Sequence, residues 1–153
     1  MTAEPPSPRE LLRSQRVFPD GMPEFDPAAA PADPVTLFLR WLKAARHDAV
    51  PAPHTMTLAT ADDRGNPSSR VLICKDVDSE GRWYFASGVA SGKGRDLAVN
   101  PRAALSFWWP QQGRQIRIRG AASPANKQAS AADFLDRPPA SRAEALIGRQ
   151  SEP

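Results

Sequence analysis

Three cations fall where one anion could use them all. The stretch "SSRVLICKDVDSEGRWYFASGVASGKGRDL" spans residues 68 to 97. Within it, Arg70 and Lys75 bracket an apolar run, Val71 to Cys74. Lys93 follows in a Ser/Gly loop that reads as the opening of a helix, with Ser87 and Ser91 beside it in the chain. Arginine suits bidentate contact with phosphate oxygens, and lysine acts as a point charge. If Ser91 starts a helix, the free N–H groups of its first turn add further donors for an anion. The residue types therefore point to phosphate, with the bracketing cations and Lys93 expected to face one phosphate group.

The charge distribution agrees. The 153-residue chain carries a formal net charge of +3. Between Arg64 and Gly120 there are ten Lys/Arg against four acids, a balance of +6. A basic body fits a phosphorylated small molecule or a nucleic acid. Other chemistries find no support. The two histidines, His47 and His54, are isolated, and neither metal-ligand spacing nor a nucleophile–base pattern is visible. No general base stands out, so no catalytic residue is assigned. Cys74 is the single cysteine, so no internal disulfide can form, and its apolar setting reads as a small core residue. No apolar run reaches the roughly 18 residues of a membrane span. No secretory signal is visible at MTAEPPSPRE, and the expectation is a cytoplasmic protein.

Residues 1–32 are rich in proline and alanine and read as a mostly irregular arm, able to pack through Phe18 and Phe25. Residues 33–153 read as one domain. Asp33-Pro34 is a helix start, an N-cap acid followed by proline at N1. Val35, Phe38, Leu42 and Ala45 then share one face of a helix over 34–47, with Trp41 beside them. Strands are expected over 55–60, 69–75, 82–86, 103–109 and 114–122, with a short helix from Ser91 through Leu97. The continuous apolar middle of 69–75 suggests burial on both faces. The strand from Arg114 alternates, with Ile116 and Ile118 on one face and Gln115, Arg117 and Arg119 on the other. Helices are expected over 126–136 and 141–149. Five short strands with tight turns predict an α+β protein, mainly β, built on an antiparallel barrel.

An ordered set of motifs sharpens this. R-V-L-I-C-K (70–75) is followed by Y-F-A-S-G-V-A-S-G-K-G-R-D-L-x-x-N-P-R (84–102), G-R-Q-I-R-I-R-G (113–120), R-P-P-A-S (137–141) and R-Q-S (149–151). In this order and spacing the chain resembles the pyridoxamine 5′-phosphate oxidase family. The resemblance implies an antiparallel split β-barrel of the FMN-binding type, a homodimer with flavin at the subunit interface, and no membrane or nucleic-acid partner. It implies that Arg70, Val71, Leu72 and Ile73 line FMN, with Arg70 on its phosphate side. Lys75 would contact flavin or the substrate phosphate. Ala86 and Ser87 would lie against the flavin, and Lys93 would bind its phosphate. Gln115 would hydrogen-bond the ring, and Gln150 and Ser151 would reach FMN. Arg137 and Ser141 would hold the substrate phosphate. The implied reaction oxidises pyridoxamine or pyridoxine 5′-phosphate to pyridoxal 5′-phosphate, passing hydride to FMN, with molecular oxygen reoxidising the flavin.

Three positions depart from the family pattern. Gly92 stands where an arginine is usual, and Asp133 where a substrate-binding tyrosine is common. The family also continues past the Q-S pair with a W-G segment and an R-L-H-x-R motif, so this chain is expected to be C-terminally truncated. Its last helix would otherwise leave an edge for a partner chain to cover. These departures keep open an FMN protein acting on another substrate, as relatives in phenazine biosynthesis do, or one without turnover. A nucleic-acid-binding barrel, with Arg114, Arg117 and Arg119 beside Trp108 and Trp109 as a stacking platform, is the remaining alternative.

Overall fold

The computed structural model describes residues 5–142. The chain divides into two compact units. One holds the described residues up to Pro53 together with Trp108–Ile116, and the other holds His54–Phe107 and the described residues from Arg117 on.

The first unit is built on helices. The arm holds helix α1, Pro8–Arg13. Ser7 and Glu10 close a capping box around its first turn, the Ser7 N–H donating to Glu10 Oε2 at 2.8 Å. An irregular arm was expected; the S-P-R-E signal at 7–10 is what turns this piece of it into a helix. Asp26 caps a 3-10 turn at Pro27–Ala29. Helix α2, Pro34–His47, starts where Asp33-Pro34 predicts, its cap carboxylate accepting from the N–H groups of Val35 and Thr36. It buries Val35, Phe38 and Ala45, with Leu42 half-buried. The Phe38 ring lies 6.0 Å from that of Trp109, whose indole N–H donates to the Pro53 carbonyl at 3.0 Å. The buried Gln112 amide donates to Asp48 at 2.7 Å.

The second unit carries most of the sheet. The strands are β1 (Thr55–Ala61), β2 (Pro67–Val77), β3 (Trp83–Phe85), β4 (Arg102–Trp109) and β5 (Arg114–Ala121), in the order β3-β2-β1-β4-β5. β4 and β5 each continue from one unit into the other. Helix α3 runs Gly92–Val99 between β3 and β4, and helix α4 runs Lys127–Asp136. The pairings of β1 with β2, β1 with β4, and β2 with β3 are all antiparallel. A bulge interrupts the last of these between Cys74 and Asp76. Met56, Leu58, Leu105 and Phe107 form the buried apolar core of this unit, with the Trp83 ring 5.7 Å from Phe107. The described part of the last expected helix, 141–142, is helical and belongs to a helical turn over 139–142, and the remainder of 141–149 lies outside the described residues.

The register overturns one expectation. β2 is not buried on both faces. Met56 pairs with Leu72 and Leu58 with Arg70, so Arg70 and Leu72 point with the core residues of β1. Val71 and Ile73 pair with Thr57 and Thr55 and point the other way, with 67% and 45% of their surface exposed. An unbroken apolar run can mean two covered faces, but among the described residues only one face of β2 is covered.

Candidate functional site

The site is built where α3 packs against β1. Ser91 caps α3, its hydroxyl accepting from the Gly94 N–H at 3.3 Å and donating to the Gly88 carbonyl at 2.7 Å. That second bond ties the helix start to the loop before it. The Ser87 hydroxyl lies 3.4 Å from that of Ser91. Lys93, in the first turn, keeps only 9% of its surface exposed. Burial pushes its pKa below the ordinary lysine value, and the nearby charge of Arg70 pushes the same way. Two cations close enough for one to lower the other's affinity for its proton make a positive environment that suits an anion.

Gly94 keeps this loop closed. A Cβ there would collide with the Gly88 carbonyl oxygen and come within 2.5 Å of that of Val89. Both are backbone atoms, so the loop itself would have to move. Gly94→Ala is expected to lower stability by about 1–3 kcal/mol, as overpacking does, with the loop displaced from the helix start. Thermal unfolding, together with the loss of amide-exchange protection over residues 87–92, checks this.

Arg70 reaches the same place from β2. Its guanidinium donates to the Thr60 hydroxyl at 2.7 Å and to the Ser68 hydroxyl at 2.7 Å, and lies 3.9 Å from the Asp96 carboxylate. Thr60, 4% exposed, in turn donates to Asp96 at 2.6 Å. Thr60 and Asp96 were not singled out from the sequence. The one available signal was the alternation Met56, Leu58, Thr60, which places a hydroxyl on the buried face of β1.

The structure thus gathers Arg70, Ser87, Ser91 and Lys93. It does not bring Lys75 to them. Lys75 continues the exposed alternation of Val71 and Ile73, away from Arg70, Leu72 and Cys74, so the expectation of three cations on one phosphate narrows to two. The five-residue separation of Arg70 and Lys75 puts them on opposite faces of a period-two strand. Ala86 follows β3 directly and is half-buried, and Ser87 is exposed. Gln115 lies on the exposed side of β5 with Arg117 and Arg119, as the alternation predicts. Ser141 is half-buried in the 139–142 turn. Arg137 is already engaged: both its Nε, at 3.1 Å, and a terminal nitrogen donate to Asp133 one turn earlier. Gln150 and Ser151 lie outside the described residues.

Cys74 is half-buried, and burial pushes its thiol pKa up to about 11. At pH 8 its thiolate fraction is therefore roughly 100-fold below that of an unfolded cysteine. Ellman's reagent is expected to label it in the native protein about 100-fold more slowly than in guanidinium. Among the described residues no group of three or more His, Cys, Asp or Glu could hold a metal ion, and no helix is long and apolar enough to cross a membrane.

The pyridoxamine 5′-phosphate oxidase family matches residues 42–153, and the chain belongs to that family. A pyridoxine/pyridoxamine 5′-phosphate oxidase of Burkholderia lata is 43% identical over 126 residues, covering 82% of this chain and 58% of the relative. One from Bordetella petrii is 43% identical over 125 residues, covering 82% and 59%. The chain thus spans under two thirds of the length of these relatives. Among solved structures, PhzG from Burkholderia lata, in complex with tetrahydrophenazine-1-carboxylic acid, superposes with a TM-score of 0.81 at 30% identity, covering 86% of this chain and 66% of that one. A pyridoxamine 5′-phosphate oxidase-related, FMN-binding protein from Nostoc punctiforme shares the fold at a TM-score of 0.65 and 18% identity. The fold is therefore an antiparallel split barrel of the FMN-binding type.

Proposed function

We propose that this chain binds FMN and, as a homodimer, oxidises pyridoxamine or pyridoxine 5′-phosphate to pyridoxal 5′-phosphate. The observation that carries the reading is the buried Lys93 beside Arg70 at the capped start of α3. A phosphate monoester dianion fits this donor set: one ammonium, one guanidinium, the Ser87 hydroxyl and the first N–H groups of a helix that Ser91 caps. FMN supplies the two-electron acceptor when bound. The protein's share is to bind and orient. Lys93 and Ser87 would hold the flavin phosphate, with Arg70 behind them and Ser91 fixing the helix start. Val71, Leu72, Ile73 and Ala86 would line the ring, Gln115 would hydrogen-bond its edge, and Gln150 and Ser151 would add contacts. Lys75, Arg137 and Ser141 would hold the substrate phosphate. Overall, the amine carbon gives up a hydride and its nitrogen a proton, water then displaces the nitrogen as ammonia, and molecular oxygen leaves as hydrogen peroxide; the alcohol substrate loses a hydride from carbon and a proton from oxygen and gives the aldehyde directly.

One observation favours a second reading, an FMN oxidase whose substrate carries no phosphate. Arg137 is held by Asp133, so a substrate phosphate would have to displace a carboxylate to reach it. Both readings are tested on the purified protein. A flavin absorption spectrum retained through gel filtration supports FMN binding. Pyridoxal 5′-phosphate formed with equimolar peroxide then supports the first reading. Flavin binding without that product, but with oxidation of a reduced phenazine carboxylate, moves the assignment to the second. A chain that takes up no FMN removes both.

A further inference from the structure

We propose that Thr60 and Asp96 form a positioning relay that sets the Arg70 guanidinium at the flavin-phosphate site; this rests on the FMN reading above. The chemistry is local and complete. Thr60 faces the core from β1 and uses its single hydroxyl twice, accepting from Arg70 at 2.7 Å and donating to Asp96 at 2.6 Å. Arg70 and Thr60 are diagonal neighbours across the β1–β2 pair, since Leu58 stands opposite Arg70 and Thr60 opposite Ser68. Asp96 follows Lys93 by three residues on α3, so the two share a helix face one turn apart. A guanidinium drawn to Asp96 is thereby delivered to within one helical turn of Lys93.

The arrangement also answers an electrostatic difficulty. Arg70 and Asp96 expose only 23% and 19% of their side chains. Two cations brought together with so little water repel, and Asp96 offsets part of that repulsion before any ligand arrives. The threonine hydroxyl, fixed between the two strands and α3, prevents Arg70 from swinging onto the carboxylate and closing a tight ion pair. At 3.9 Å the pair is held at the edge of contact, leaving guanidinium donors for an incoming anion. Thr60 and Asp96 act through Arg70 and touch no ligand.

The test compares FMN with riboflavin, which has the same ring and no phosphate, by fluorescence titration of the full chain. The wild type is expected to bind FMN more tightly than riboflavin. Thr60→Val keeps the side-chain volume and removes the hydroxyl. It should weaken FMN about tenfold, the effect of losing one charged hydrogen bond, and leave riboflavin unchanged. Thr60→Ser should restore FMN. In an Arg70→Ala background, Thr60→Val should add no further loss, because both act through one guanidinium. Equal weakening of both flavins, failure of serine to rescue, or additive losses would overturn the relay and leave Thr60 a core residue only. If Thr60→Val does not fold, Thr60→Ala takes its place in every arm. A wild type that binds FMN no better than riboflavin rejects the phosphate reading itself, a result distinct from all of these, and the relay falls with it.

Discussion

Lys93→Ala is expected to weaken FMN binding about 100-fold while leaving riboflavin binding unchanged, because under the proposed reading a single buried ammonium would supply the strongest charged contact to the phosphate. The size of the effect follows from the position. Lys93 is held in the first turn of α3 with 9% of its surface exposed, so solvent screens its charge less than that of a surface lysine. Exposed cations nearby should matter far less: Lys75 to alanine is expected to change flavin-phosphate affinity by under about threefold. The same geometry fixes a pH profile. Phosphate becomes a dianion above a pKa of about 6, so affinity rises through that pH. Lys93 must carry its proton to bind, and burial together with Arg70 has lowered its pKa in the free protein. Affinity therefore falls again on the alkaline side, at a lower pH than an ordinary lysine would give. In Lys93→Arg the acid limb should stay and the alkaline limb should move up, since arginine does not deprotonate in this range. Titrations from pH 5 to 10 check both limbs, and an alkaline limb unchanged in Lys93→Arg would show that another group sets it.

Which parts of this site could be read from the sequence depends on how far apart the partners lie along the chain. The helix starts are local events. Asp33-Pro34 and Ser91 each announce a cap within three residues, and α2 and α3 begin there. The strand Arg114–Ala121 declares its faces through strict alternation, and the structure keeps them. The Arg70–Thr60–Asp96 relay is different. Its members are 10 and 36 residues apart, and only the β1–β2 register and the packing of α3 bring them together. Alternation with Met56 and Leu58 sets Thr60 on the buried face, unlike Thr55 and Thr57, but nothing near it in the chain names Arg70 or Asp96 as its partners. α1 was legible in principle, since Ser7 and Glu10 form a capping box, but the surrounding prolines masked it. β2 shows the opposite failure. Its apolar run was visible, while the count of covered faces was not, because alternation is lost when both faces are apolar and only the neighbours decide which is buried.

That open face of β2 leads to the second large effect. If the chain is the FMN-binding homodimer proposed above, the double variant Val71→Asp/Ile73→Asp is expected to turn it into a monomer and to abolish FMN retention, with little change in the melting temperature measured at low protein concentration. Val71 and Ile73 stand two residues apart on one strand face, exposed by 67% and 45%. Two β-branched side chains side by side in water forgo burial worth about 1.5–3 kcal/mol each. A carboxylate at either position costs the isolated chain little, because neither side chain packs in the core of its own unit. In a homodimer that buries this face, two such carboxylates from each subunit would be desolvated against apolar surface, and the penalty is several kcal/mol per charge. Sedimentation of wild type and variant separates the possibilities. A wild-type dimer and a folded, flavin-free variant monomer fit a flavin site completed between subunits. A variant that loses its fold would mean that this chain itself covers the face. A variant that stays dimeric and yellow would place the interface elsewhere and leave Val71 and Ile73 as surface residues.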